Sequence, residues 1–144
     1  MKQQNFSNHA RFVPGFHLLT SALILFLLVL AIVNLVEVAG DPHWMIAGLF
    51  PLGVVVALGL LFFYTRQFPN KVQDRAIRAE ENLRHYVLTG KLLDQHLSVA
   101  QIIALRFASD AEFVALASRA AAENMSPDEI KKTVQNWRAD HHRA

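Results

Sequence analysis

The chain has 144 residues, a formal charge of +2 and no cysteine. Without cysteine there can be no disulfide, thiolate metal site or cysteine nucleophile. The near balance of charge offers no concentrated basic surface for nucleic acid.

The leader NFSNHARFVPGFH (residues 5–17) mixes aromatic and polar side chains. Phe6, Phe12 and Phe16 suit the headgroup level of a bilayer, with His9 and Arg11 toward lipid phosphates. Two charge-free stretches follow, Phe12–Val36 and Pro42–Thr65. Each has the twenty or so residues that a helix needs to cross a hydrocarbon core. Glu37, Asp41 and Gly40 fall in the short connection between them, so the pair reads as a transmembrane helical hairpin. Trp44 and Tyr64 are placed as interfacial anchors. Pro51 removes one backbone donor from the second span and predicts a bend. Gly53 and Ala57, four apart, form a small-residue notch for a close helix partner: the first span or a second copy.

Lys2 and Arg11 precede the hairpin, and Arg66, Lys71, Arg75 and Arg78 follow it, whereas the connection holds no Lys or Arg. The positive-inside rule then predicts both termini in the cytoplasm. A cleaved signal peptide fits less well, because signal cores run about 7–15 apolar residues.

Pro69 is expected to end the membrane helix. From Asn70 to Thr89, apolar residues recur at Val72, Ala76, Ala79, Leu83 and Tyr86 or Val87, a helical spacing. The opposite face offers the pairs Asp74/Arg78 and Glu80/Arg84. Gly90 is a natural stop. Three capping boxes follow: Ser98/Gln101, Ser109/Glu112 and Ser126/Glu129. Leu97/Ile102 and Met125/Ile130 add hydrophobic staples, and Pro127 fits a first helical position. These signals predict helices over 99–107, 110–123 and 127–138. The inward faces expected are Ile102/Ile103/Phe107, Phe113/Leu116/Ala117/Ala120 and Ile130/Val134/Trp137. Arg106, set in an otherwise apolar helix, calls for a carboxylate, with Asp110 as the local candidate.

The expected fold is therefore all-α, a transmembrane helical hairpin followed by a small cytoplasmic helical domain. Its segments are an interfacial leader (1–15), the hairpin (16–66) and the helical domain (67–144). No catalytic, cofactor-binding or metal-binding residues are predicted. No two of the seven histidines are spaced three or four apart, as helical metal ligands are, and His141 and His142 are adjacent. His17 and His43 belong to opposite ends of the hairpin, too far apart to hold one haem. The spans carry no ionisable pathway, and no phosphate-cradling glycine loop or GxSxG elbow is present. The basic residues Lys131, Lys132, Arg138 and Arg143 read as an ordinary cationic face, with contact to phospholipid or another protein as the alternative.

The blocks QDRAIRAEENLRHYVLTGKLLD (73–94), QIIALRFASDAEFVALA (101–117) and IKKTVQNWRADHHR (130–143), together with the leader, resemble a family of small bacterial two-span membrane proteins of unknown function. The resemblance implies a bacterial inner-membrane protein with a cytoplasmic helical tail, and brings no activity or cofactor with it. It directs attention to the charged and aromatic residues of those blocks. Arg75, Arg78, Arg84, Arg106, Trp137 and Arg138 are the interaction candidates, beside Glu81, Lys91, Asp110 and Asp140. They read either as ion pairs fixing the tail or as a docking surface. The function expected is that of an accessory or scaffolding subunit without catalysis. Its partners are the lipid bilayer and a protein, or a second copy of the chain, and not nucleic acid. The alternatives are a membrane-anchored ligand-binding regulator or enzyme, and a small oligomeric channel or transporter.

Overall fold

The computed structural model describes residues 4–9 and 12–140. Lys2, Arg11, His141, His142 and Arg143, weighed above, lie outside the described residues. The fold is all-α. A π-helical turn (Gly15–Thr20) leads into α1 (Ser21–Glu37), followed by α2 (Met45–Thr89), α3 (Val99–Leu105), α4 (Asp110–Ala122) and α5 (Pro127–Thr133). The chain divides into two compact units. One is Phe12–Phe68; the other comprises the described residues of Met1–Arg11 and Pro69–Ala144. α2 supplies residues to both.

The first unit is a helical hairpin, and both of its helices are long and apolar enough to cross a membrane. Leu19, Leu25, Ile46 and Phe50 are among its many exposed apolar side chains, while Ala31 and Val55 are buried. The connection is wound tightly by Asp41 N–H to Val38 O (3.3 Å) and Trp44 N–H to Asp41 O (3.1 Å). Gly40 sits there at φ +103°, a region that glycine enters without a side-chain clash.

Close approach of the two helices occurs at Gly48. A Cβ there would lie 2.6 Å from Val38 Cγ2 and 2.9 Å from Leu35 Cδ1. Gly53, by contrast, has open space at its Cβ position, and both Gly53 and Ala57 are exposed. The notch expected at Gly53/Ala57 is therefore not where α1 packs. The tight contact lies near the turn, where the Gly48 Cβ position is also 3.3 Å from the Leu35 Cα.

Pro51 stands inside α2 without ending it. Its missing N–H leaves the carbonyl of Ala47, four residues back, without a helical donor. The Asn34 side chain fills the vacancy, donating Nδ2–H to Ala47 O at 3.1 Å. The one amide side chain of α1 thus repairs the one interrupted rung at this level of α2.

Pro69 likewise does not end α2, which runs on to Thr89. A proline removes one rung of the ladder but keeps a helical φ, so a helix secured on both sides continues through it. Downstream, Ile77 and Glu81 are buried and secure the segment. Gly90, at φ +73°, terminates the helix as expected.

In the second unit, Leu105, Phe107, Phe113 and Ile130 are the largest fully buried side chains. Leu97, Ile102, Leu116 and Met125 join them, and Trp137 packs against the cluster. All three capping boxes form. Ser98 N–H donates to Gln101 Oε1 at 2.8 Å, and Ser126 N–H to Glu129 Oε2 at 2.7 Å. Asn124 takes the left-handed conformation just past α4 (φ 49°), which an asparagine tolerates better than most residues.

One expectation needs correction here: α5 stops at Thr133 rather than near Arg138. Val134 turns extended, and the chain beyond it forms an antiparallel bridge between Ala108 and Trp137. Ser109 N–H donates to Asn136 O (3.1 Å) and Arg138 N–H to Phe107 O (2.7 Å). These long-range bonds replace the helical ones that the sequence pattern favours locally.

The apolar stripe of α2 does not face the core. Val72, Leu83, Tyr86 and Val87 are 54–74% exposed, and Ala76 and Ala79 are exposed too. The docked face carries Ile77, Glu81 and Arg84 instead. Periodicity identifies a stripe but not what covers it, and a charged face can be buried when every charge finds a partner.

Candidate functional site

The charged residues of the second unit converge where α2, the α3–α4 junction and the C-terminal segment meet. Glu81, on the docked face of α2, is 4% exposed. It accepts from Arg84 Nη1 at 2.9 Å and from Arg138 Nη1 at 3.4 Å. Arg84 also reaches Asp110 Oδ1 at 2.6 Å through Nη2 and donates to the Ala108 carbonyl at 2.7 Å. Its guanidinium lies 4.2 Å above the Phe113 ring. A planar fork of donors suits this combination of carboxylate, carbonyl and aromatic face.

Arg106 is 6% exposed. Its Nε donates to Asp140 Oδ2 at 2.9 Å and its Nη1 to Ile103 O at 2.9 Å, with the guanidinium 4.2 Å from the Phe107 ring centre. The expected carboxylate partner exists, but it is Asp140 and not Asp110. Asp110 begins α4 and is taken by Arg84. Trp137 packs on Phe107 with ring centres 4.7 Å apart, and the leader's His9 lies 5.6 Å from Phe107 and 5.9 Å from Trp137. Gln4 accepts the Asp140 N–H at 2.8 Å. The leader residues 4–9 therefore belong to this unit's polar and aromatic fabric.

A third carboxylate secures the same segment. Glu112 accepts from the Ser109 N–H (3.2 Å) and from the backbone N–H groups of Gln135 (3.1 Å) and Asn136 (3.1 Å). Burial alone would push its carboxyl up, but the amides of Gln135, Ser109 and Asn136 together outweigh burial and hold it below its usual value.

Of the sequence candidates, Arg84, Arg106, Trp137 and Arg138 are thus brought together, whereas Arg75 and Arg78 stand exposed on α2 outside the network. The roles of Glu112 and Gln4 were not foreseen. The capping box hid the former's second task, and no local signal marks the latter. Beside the network lies a cleft of about 390 Å³, lined by Glu80, Glu81, Arg106, Arg138 and Asp140 among others. A second cleft of about 570 Å³, bordered by His85, Lys91, Asp94 and Leu97, opens elsewhere on the same unit. No group of three or more His, Asp or Glu side chains capable of holding a metal occurs among the described residues. The arrangement pairs opposite charges and orders chain segments.

An all-α protein with two helices fit to cross a membrane and a charge-laced helical unit is the class that these features define. Within it, the chain belongs to the Family of unknown function (DUF6526), whose model matches residues 1–144. No curated protein and no solved structure matches the chain.

Proposed function

We propose that this is an integral inner-membrane protein of a bacterium, multi-pass, with both termini cytoplasmic. Its role is to serve as a non-catalytic accessory or scaffolding subunit. The observation that carries the reading is where the charges are spent. Arg84, Arg106, Glu81 and Glu112 all satisfy one another or the backbone, so the unit's polar chemistry goes into holding its own shape. The apolar hairpin supports membrane residence, and the cations flanking it support the orientation.

The test is gentle solubilisation of the untagged protein followed by native mass spectrometry, together with labelling of Gly40→Cys by an impermeant maleimide. Recovery of protein-bound species and labelling from outside support the reading. A bound small molecule with no protein partner favours the ligand-binding alternative, for which the charged cleft beside Arg106 and Arg138 is the place to look. Labelling of Gly40→Cys only from the cytoplasmic side overturns the orientation.

A further inference from the structure

The exposed stripe of α2 follows a seven-residue repeat. Val72, Ala76, Ala79, Leu83 and Tyr86 are spaced four, three, four and three apart. With Ala76 and Leu83 as a positions, Val72, Ala79 and Tyr86 fall at d. All five are exposed. The residues docked in the protein's own core, Ile77 and Glu81, occupy b and f on the other side of the helix. The same helix thus turns one face to its own unit and presents an exposed seam on the other side, with Ala76 and Glu80 at the border, where they also line the cleft beside Arg106 and Arg138.

The flanking positions say what covers that seam. Arg75 stands at g and Glu80 at e of the next heptad, both exposed and neither ion-paired among the described residues. Five residues apart, they cannot meet on one helix. In a parallel pair of identical helices, g of one copy faces the following e′ of the other, so Arg75 meets the second copy's Glu80, twice by symmetry. An antiparallel pair would set g against g′ and e against e′, leaving both charges without opposite partners.

We propose that the 72–86 segment of α2 forms a parallel two-stranded coiled coil with a second copy of this chain. The proposal deepens the scaffolding reading, on which it rests for the shared orientation of both copies in one bilayer. Two heptads are short for an isolated coiled coil in water. Here the helix is already formed as part of Met45–Thr89, and confinement to a membrane raises the effective concentration of the partner. Alanine at the central a and d positions lets the two backbones come close.

The chain's lack of cysteine permits a direct test on the full-length protein in its native membrane. Single variants Ala76→Cys, Ala79→Cys, Leu83→Cys and Arg78→Cys are oxidised and resolved on a non-reducing gel. Facing a and d positions fall within disulfide reach, so the first three are expected to form dimers about tenfold faster than Arg78→Cys, which sits at c. Arg75→Glu should slow cross-linking of Ala79→Cys, and adding Glu80→Arg should restore it. Equal rates at 78 and 79 would mean random collision and overturn the proposal. Absence of seam cross-links would overturn it too. Quenching of a fluorophore on Ala79→Cys by spin-labelled lipid would then identify the membrane surface as the cover, and an adduct of a different mass would identify another protein. Maleimide access to Arg78→Cys, which is exposed and off the seam at c, from each side of the membrane reports orientation independently, so failure of the seam and failure of the topology are told apart.

Discussion

Asn34, Ala47 and Pro51 make a closed three-residue argument that a double-mutant cycle can break. Asn34 donates to the Ala47 carbonyl at 3.1 Å, the acceptor that Pro51 leaves unpaired. Asn34→Leu keeps the bulk and removes the donor, stranding that carbonyl in apolar surroundings. The expected cost is about 1–2 kcal/mol, the range found for interhelical hydrogen bonds in membranes. In a Pro51→Ala background the backbone amide at position 51 is restored and can serve the same carbonyl. Asn34→Leu should then cost less, giving a coupling energy of roughly 0.6–1.7 kcal/mol. Hairpin unfolding by a denaturing detergent in mixed micelles, followed by Trp44 fluorescence in a Trp137→Phe background, supplies the four free energies. If Asn34→Leu costs the same with and without the proline, to within about 0.3 kcal/mol, the rung is not being repaired by the side chain and the account is wrong.

Three more outcomes are expected. Arg106→Met keeps the stem but strands Asp140, which is 25% exposed at its side chain; the loss should be about 2–3 kcal/mol, read by thermal melting, and an unchanged melt would show that the pair contributes nothing. Glu112, whose folded pKa is depressed, contributes stability that is present above its ordinary value and is lost as pH falls through its lower folded value; amide exchange at Gln135 and Asn136 should accelerate over that acid window in the native protein and be pH-insensitive in Glu112→Gln beyond the intrinsic exchange rate. Gly48→Ala should loosen the hairpin because its Cβ meets Val38 and Leu35, whereas Gly53→Ala, facing open space, should leave the same unfolding curve in place.

Local signals were readable because their physics is local. The capping boxes at Ser98, Ser109 and Ser126 and the stop at Gly90 depend on residues within one turn, and they stand where the pattern puts them. The hairpin is equally plain, since the apolar length that a membrane requires is a property of a continuous run. What escaped were choices made between distant segments. Nothing near Arg106 distinguishes Asp110 from Asp140, and the decision falls to Arg84, which claims Asp110 from another helix. The premature end of α5 is set by the Phe107 carbonyl and by Glu112, far from Val134 in sequence. The docked face of α2 is hidden from local signals for a related reason. Buried charge looks unfavourable until its partners are known, and those partners lie on the C-terminal segment and the α3–α4 junction.

The bond between Gln4 and Asp140 joins residues 136 positions apart, and this sets a timetable for biogenesis. The hairpin is wholly synthesised before the residues that receive the leader exist. Its helices are free to enter a bilayer while residues 4–9 still lack their aromatic seat on Phe107 and Trp137. The helical unit closes only when residues 136–140 have left the ribosome, as befits contacts of such long range. A ribosome-stalled chain ending before Trp137 should therefore show membrane-inserted spans with a protease-sensitive leader, and a chain with residues 137–140 clear of the ribosome should protect that leader.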